Sequence, residues 1–124
     1  MFLVRVETEF AAAHFLSAYN GRCEQLHGHN YTVRVWLKGA ELDADGILVD
    51  FSLIRQILKD TVAPLDHCNL NDNPSFSNNP SAERLAYYIF EKFYAALEAQ
   101  NLQPELLCAV DVFENSGSLA RYEI

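Results

Sequence analysis

Apolar side chains occupy the even positions Phe2, Val4, Val6 and Phe10, with the charged Arg5, Glu7 and Glu9 between them. That period of two predicts a half-buried strand, and its phase carries His14 onto the face of Phe10. A polar loop from Ser17 to Gln25, containing Asn20-Gly21, leads to a second alternating run from His27 to Lys38. On this run His27, His29, Tyr31, Val33, Val35 and Leu37 share one face.

Turn residues from Glu41 to Gly46 end the hairpin. A helix is predicted to start at Asp50-Phe51-Ser52, because Phe51, Ile54, Ile57, Leu58 and Val62 recur at three and four, and Pro64 stops it. Beyond the breakers Asn71-Asp72-Asn73-Pro74 and Asn78-Asn79-Pro80, Asn79 or Ser81 can cap a second helix. Its apolar stripe is Leu85, Ile89, Phe90, Phe93 and Leu97. Two strands, from Leu106 to Glu114 and from Leu119 to Ile124, flank the turn Asn115-Ser116-Gly117-Ser118.

The order ββααββ predicts an α+β fold: a four-stranded antiparallel sheet with both helices on one face. Apolar residues on the other face would form a large exposed patch, so subunits are expected to close their sheets against one another.

At 124 residues the chain is one domain, residues 1–124, large enough to bury roughly two thirds of its unfolded surface without metal or disulfide staples. A net charge of -8, with no cluster of Lys or Arg, disfavours a nucleic-acid partner. Neither a secretory leader pattern nor an 18-residue apolar run is present, which predicts a soluble cytoplasmic protein without a membrane partner. Three scattered cysteines fit a reducing compartment rather than a disulfide framework. Cys68 and Cys108 read as small buried side chains.

His27 and His29 stand at i and i+2 on one strand face, where both can converge on a single ion while Gly28 faces away. His14 from the neighbouring strand supplies a third imidazole. Three imidazoles with an open fourth position make the catalytic zinc pattern, although copper, nickel and iron also take imidazole. The alternative is three histidines with no metal role.

Cys23 lies four residues before His27, near enough for a thiolate favoured by the metal and by Arg22 to act as base or nucleophile. It could equally be a fourth structural ligand or inert. Asp66-His67 places a carboxylate beside an imidazole, an acid/base pair or a solvated loop. Glu114, in phase with Val110 and Val112, ends a strand at the edge of an apolar face. There it suits a guanidine-like ligand edge with two N–H donors, or is simply exposed.

The segments from Cys23 to Tyr31 (Cys-Glu-Gln-Leu-His-Gly-His-Asn-Tyr), Ala12-Ala13-His14, Leu65 to Asn71, Asn79 to Glu83, and Val112-Phe113-Glu114 occur in this order along nearly the whole chain. Together they strongly resemble the 6-pyruvoyl-tetrahydropterin synthase family. The resemblance implies a tunnelling fold, in which trimers form a twelve-stranded barrel and two trimers stack into a hexamer. The three residues between Cys23 and His27 are similar to the bacterial 6-carboxy-5,6,7,8-tetrahydropterin synthase branch, which serves queuosine and deazapurine biosynthesis. That branch implies 7,8-dihydroneopterin triphosphate as substrate, with carboxytetrahydropterin, acetaldehyde and triphosphate as products.

Residue by residue, the resemblance implies that His14, His27 and His29 hold Zn²⁺ and that Cys23 moves the proton. Asp66 and His67 would form a dyad arriving from a neighbouring subunit. Glu114 would anchor the pterin, supported by Glu83 and the backbone near Ser81. Two positions depart from the family pattern: Ser81 stands where threonine is frequent, and Asn115 follows Glu114 where threonine is usual. Arg22 and Arg121 are candidates for the triphosphate by elimination only.

Overall fold

A computed structural model describes residues 1–17 and 24–124. Strand β1 (Phe2–His14) pairs antiparallel with β2 (His27–Gly39) along its whole length, from Phe2 opposite Gly39 to His14 opposite His27. Helix α1 (Phe51–Val62) follows, then a two-residue strand β3 (Cys68–Asn69), helix α2 (Ala82–Ala99), and the hairpin β4 (Leu107–Asn115) with β5 (Ser118–Glu123).

The sheet has five strands in the order β3-β1-β2-β4-β5. This corrects the expected four-stranded antiparallel sheet, because β3 adds a parallel edge against Ala12 and Ala13 of β1. A run of two residues has no periodicity to read. It is held instead by tertiary bonds: the His67 N–H donates to the Ala11 carbonyl at 2.6 Å, and the Ala11 N–H donates to Asp66 Oδ1 at 2.9 Å.

The strand phases set the core. Val6 and Phe10 of β1, Tyr31 to Leu37 at odd positions of β2, and Val110 and Val112 of β4 are buried with both helices on that face. Helix α1 presents Ile54, Ile57, Leu58 and Val62, and α2 presents Leu85, Ile89, Phe90, Phe93 and Leu97. Phe51 departs from the expected stripe and is exposed. It opens the first turn, beside Asp50, whose carboxylate caps the helix by accepting the N–H groups of Ser52 and Leu53.

The other sheet face is not the apolar patch expected. It carries Arg5, Glu7, Arg34, Trp36, Asp111 and Arg121, paired across strands. Arg34 donates to Glu7 at 3.0 Å, and Arg121 and Arg5 stack their guanidinium groups on Trp36. Alternation supplied polar residues here, so burying this face would require matching charge rather than apolar contact. Cys68 is exposed, contrary to expectation, and Cys108 is half-buried.

Candidate metal centre and its cleft

The phase of the two long strands brings His14, His27 and His29 together at one end of the sheet's helix-covered face. The Nε2 of His14 lies 3.1 Å from the Nε2 of His27 and 3.1 Å from that of His29. All three ligand atoms fall within 4.8 Å of one another.

The opposite ring nitrogens explain why these lone pairs face inward. The Nδ1–H of His14 donates to the Pro80 carbonyl and that of His27 to the Gln25 carbonyl, each at 2.8 Å. A backbone carbonyl on Nδ1 selects the tautomer that leaves Nε2 free to bind a metal. Two such lone pairs cannot bond each other at 3.1 Å, but they can share one small divalent ion. Burial holds the His29 imidazole below its ordinary value, His14 and His27 add to the effect and Glu114 opposes it, so the balance favours the neutral ligand form. The donor set therefore fits a metal ion of the imidazole-binding kind.

Beneath the three rings lies Tyr31, stacked on Phe10 with ring centroids 4.9 Å apart and edge-on to His29 at 5.3 Å. Its hydroxyl is buried without a partner among the described residues. Burial, with Glu114 nearby, raises its proton affinity far above that of an ordinary phenol.

Glu114 reaches the same place from β4, with Oε1 3.9 Å from His14 Nε2 and Oε2 4.0 Å from His29 Nε2. A cleft of about 330 Å³ opens here, lined by His14, His27, Glu114, Ser81, Glu83 and Glu24 together with apolar residues that include Leu119. Ser81, Glu83 and Glu114 thus line one cleft with His14 and His27. Three carboxylates and no Lys or Arg among the described lining residues suit a ligand edge rich in N–H donors.

Asp66 and His67 form their dyad, with Nδ1 of His67 3.0 Å from Asp66 Oδ1. The Ala11 N–H, and then His67, hold the Asp66 carboxyl below its usual range. The pair does not line the cleft. His67 lines a second groove with Ala11, Ala13, Gly28, Asn30, Cys68 and His29 of the histidine cluster. Cys23 and Arg22 lie outside the described residues. Arg121 is committed elsewhere, making a two-pronged bond to Asp111 at 2.6 and 3.0 Å. Sequence reasoning missed Glu24, which the cleft includes, and the two orienting carbonyls, which no side chain announces.

The family model described as 6-pyruvoyl tetrahydropterin synthase matches residues 3–124. The chain belongs to the 6-pyruvoyl tetrahydropterin synthase family. Within this synthase family, a 6-carboxy-5,6,7,8-tetrahydropterin synthase of Synechocystis is 35% identical, covering 98% of this chain and 93% of that protein. One of Bacillus subtilis is 33% identical over 83% of this chain and 73% of that protein. A 6-pyruvoyl tetrahydrobiopterin synthase of Drosophila melanogaster is also 33% identical, over 98% of this chain and 78% of its own length. The solved 6-pyruvoyl tetrahydropterin synthase of Caenorhabditis elegans superposes with a TM-score of 0.82 at 26% identity, covering 100% of this chain and 97% of that one. The synthase-family fold and the three-histidine cluster thus stand together in one chain. No helix among the described residues is long and apolar enough to cross a membrane.

Proposed function

We propose that this chain is a zinc-dependent 6-carboxy-5,6,7,8-tetrahydropterin synthase of queuosine and deazapurine biosynthesis, working in the cytoplasm as a hexamer of two trimers. It converts 7,8-dihydroneopterin triphosphate and one water to 6-carboxy-5,6,7,8-tetrahydropterin, releasing acetaldehyde and triphosphate. The observation that carries this reading is the meeting of three inward-facing Nε2 atoms with the Glu114 carboxylate at one cleft.

His14, His27 and His29 would hold the zinc, which when bound supplies Lewis-acid polarisation of the substrate's side-chain hydroxyls. Glu114 orients the ring, its two oxygens accepting the paired N–H donors of the 2-aminopyrimidinone edge. Ser81 and Glu83, on the same cleft wall, support that edge. Cys23 moves the proton at the side-chain carbon, and the Asp66–His67 pair relays protons from the opposite side. In this reading the pair, whose His67 borders a groove that His29 shares, serves the site of a neighbouring subunit.

The names of the Synechocystis and Bacillus relatives support the carboxy product. The Drosophila relative supports a second reading, the pyruvoyl synthase reaction on the same substrate. Incubation of the purified protein with 7,8-dihydroneopterin triphosphate, followed by mass analysis, separates them. Acetaldehyde and the carboxy product are expected, and turnover should vanish with a chelator and return with zinc. A pyruvoyl product without acetaldehyde would establish the second reading, and a rate indifferent to chelation would overturn the metal assignment. Cys23→Ala should abolish turnover with zinc still bound; a noncatalytic pterin-binding module would be unaffected.

A further inference from the structure

Just past His14, three successive residues have their backbone held by side chains from three separate segments. The Phe15 N–H donates to Asn71 Oδ1 at 2.8 Å, and the Asn71 amide donates back to the Phe15 carbonyl at 2.9 Å. The Leu16 N–H donates to Glu24 Oε1 at 3.0 Å, while the Glu24 N–H donates to the Leu16 carbonyl at 3.2 Å. The N–H and hydroxyl of Ser17 both donate to Asn79 Oδ1, at 2.9 and 3.0 Å.

Two of these anchors stand one residue before a carbonyl that orients a histidine. Glu24 precedes Gln25, whose carbonyl holds His27, and Asn79 precedes Pro80, whose carbonyl holds His14. We propose that Glu24 and Asn79 are positioning residues of the metal centre, each tying the 15–17 segment to the carbonyl that fixes one imidazole.

The physical ground is preorganisation. His27 lies at the open side of the cluster, and its Nδ1 partner belongs to a stretch outside regular structure. Without the Glu24 carboxylate bond, only the Glu24 N–H bond to the Leu16 carbonyl ties this stretch down, the Gln25 carbonyl gains freedom, and the ion must order the His27 ring at a greater entropic cost. The same argument joins Asn79, Pro80 and His14. Groups that orient a ligand histidine typically change metal affinity by about 10–100-fold when removed.

This inference rests on the metal reading above, and it is tested on the full chain with zinc alone. Affinity is read by competition with a chromophoric chelator, and site geometry by the visible spectrum of the cobalt(II) form. Glu24→Ala and Asn79→Ala should each weaken zinc by about 10–100-fold and change the cobalt spectrum. Glu24→Gln keeps an acceptor oxygen for the Leu16 N–H and should recover most of the loss.

Alanine variants with parental affinity and spectrum would overturn the proposal. A Glu24→Gln protein as weak as Glu24→Ala would also overturn it for Glu24, because charge rather than anchoring would then be the cause. Should an alanine variant fail to fold, Glu24→Asp and Asn79→Ser, which shorten the anchors, take its place with the same expectation. A parent that binds no zinc would remove the metal reading and this inference together, whereas a parent that binds, with unaffected variants, removes only this one.

Discussion

Asp111 is almost fully buried on the sheet face that has no helix, which makes its charge a matter of stability. Burial alone would push its carboxyl upward. The two bonds from Arg121 and the Trp36 indole N–H at 2.8 Å outweigh that, and hold it below the ordinary carboxylate range. A carboxyl depressed by folding adds stability above its unfolded value, near 3.9, and that stability is lost as pH falls through the lower folded value. Urea unfolding at pH 7 should therefore show Asp111→Ala less stable by about 1–3 kcal/mol, since the half-exposed Arg121 and the Trp36 indole lose their shared partner. Asp111→Asn should flatten the loss of stability as pH falls below about 4. A parental acid profile in that variant would mean that other carboxyls govern acid unfolding.

Helix α2 starts where the cleft needs a wall, and one hydroxyl serves both. Ser81 caps the helix by accepting the Arg84 N–H at 3.2 Å, and it also lines the cleft beside Glu83. Ser81→Ala should cost about 1 kcal/mol in urea unfolding through the lost cap. A matching rise in KM, restored by Thr, would show that the hydroxyl proton is also used by substrate. The long strands, both helices and the histidine cluster were legible because each depends on a period: two along β1 and β2, and three to four along α1 and α2. The same period of two puts His14 in phase with Phe10, and His27 and His29 in phase with Tyr31. What escaped has no period. Strand β3 is two residues held by the Ala11 backbone, and the Gln25 and Pro80 carbonyls that aim the rings are common to every residue type. The charged sheet face was misjudged for another reason. Alternation marks which residues turn away from the helices, but not that Arg5, Glu7, Arg34, Trp36, Asp111 and Arg121 satisfy one another there.

As a whole, the molecule has an unfinished sheet, and its proposed site is shared between subunits. Among the described residues, strand β5 is an outer edge and β3 covers β1 only at Ala12 and Ala13, so most of β1 from Phe2 onward is open. Open edges of this length invite pairing with another copy, and closed symmetric assembly is the economical way to satisfy both. Sedimentation of the 14.1 kDa chain at micromolar concentration should accordingly give a species of about 85 kDa for a hexamer. The proposed sharing of the site makes the assembly matter for chemistry. His27 and Glu114 open on one cleft, while His67 borders a second groove that His29 shares, and in the proposed function His67 serves the site of a neighbouring subunit. Cys23→Ala and His67→Ala should each be inactive alone. Co-expressed in equal amounts, they should regain about a quarter of the parental rate, because random mixing pairs an intact thiol with a neighbour's intact imidazole at one site in four. If thiol and imidazole instead acted within one chain, every site would carry one lesion or the other. Mixed assemblies would then stay as inactive as their components, and the shared site would be ruled out even with the hexamer intact.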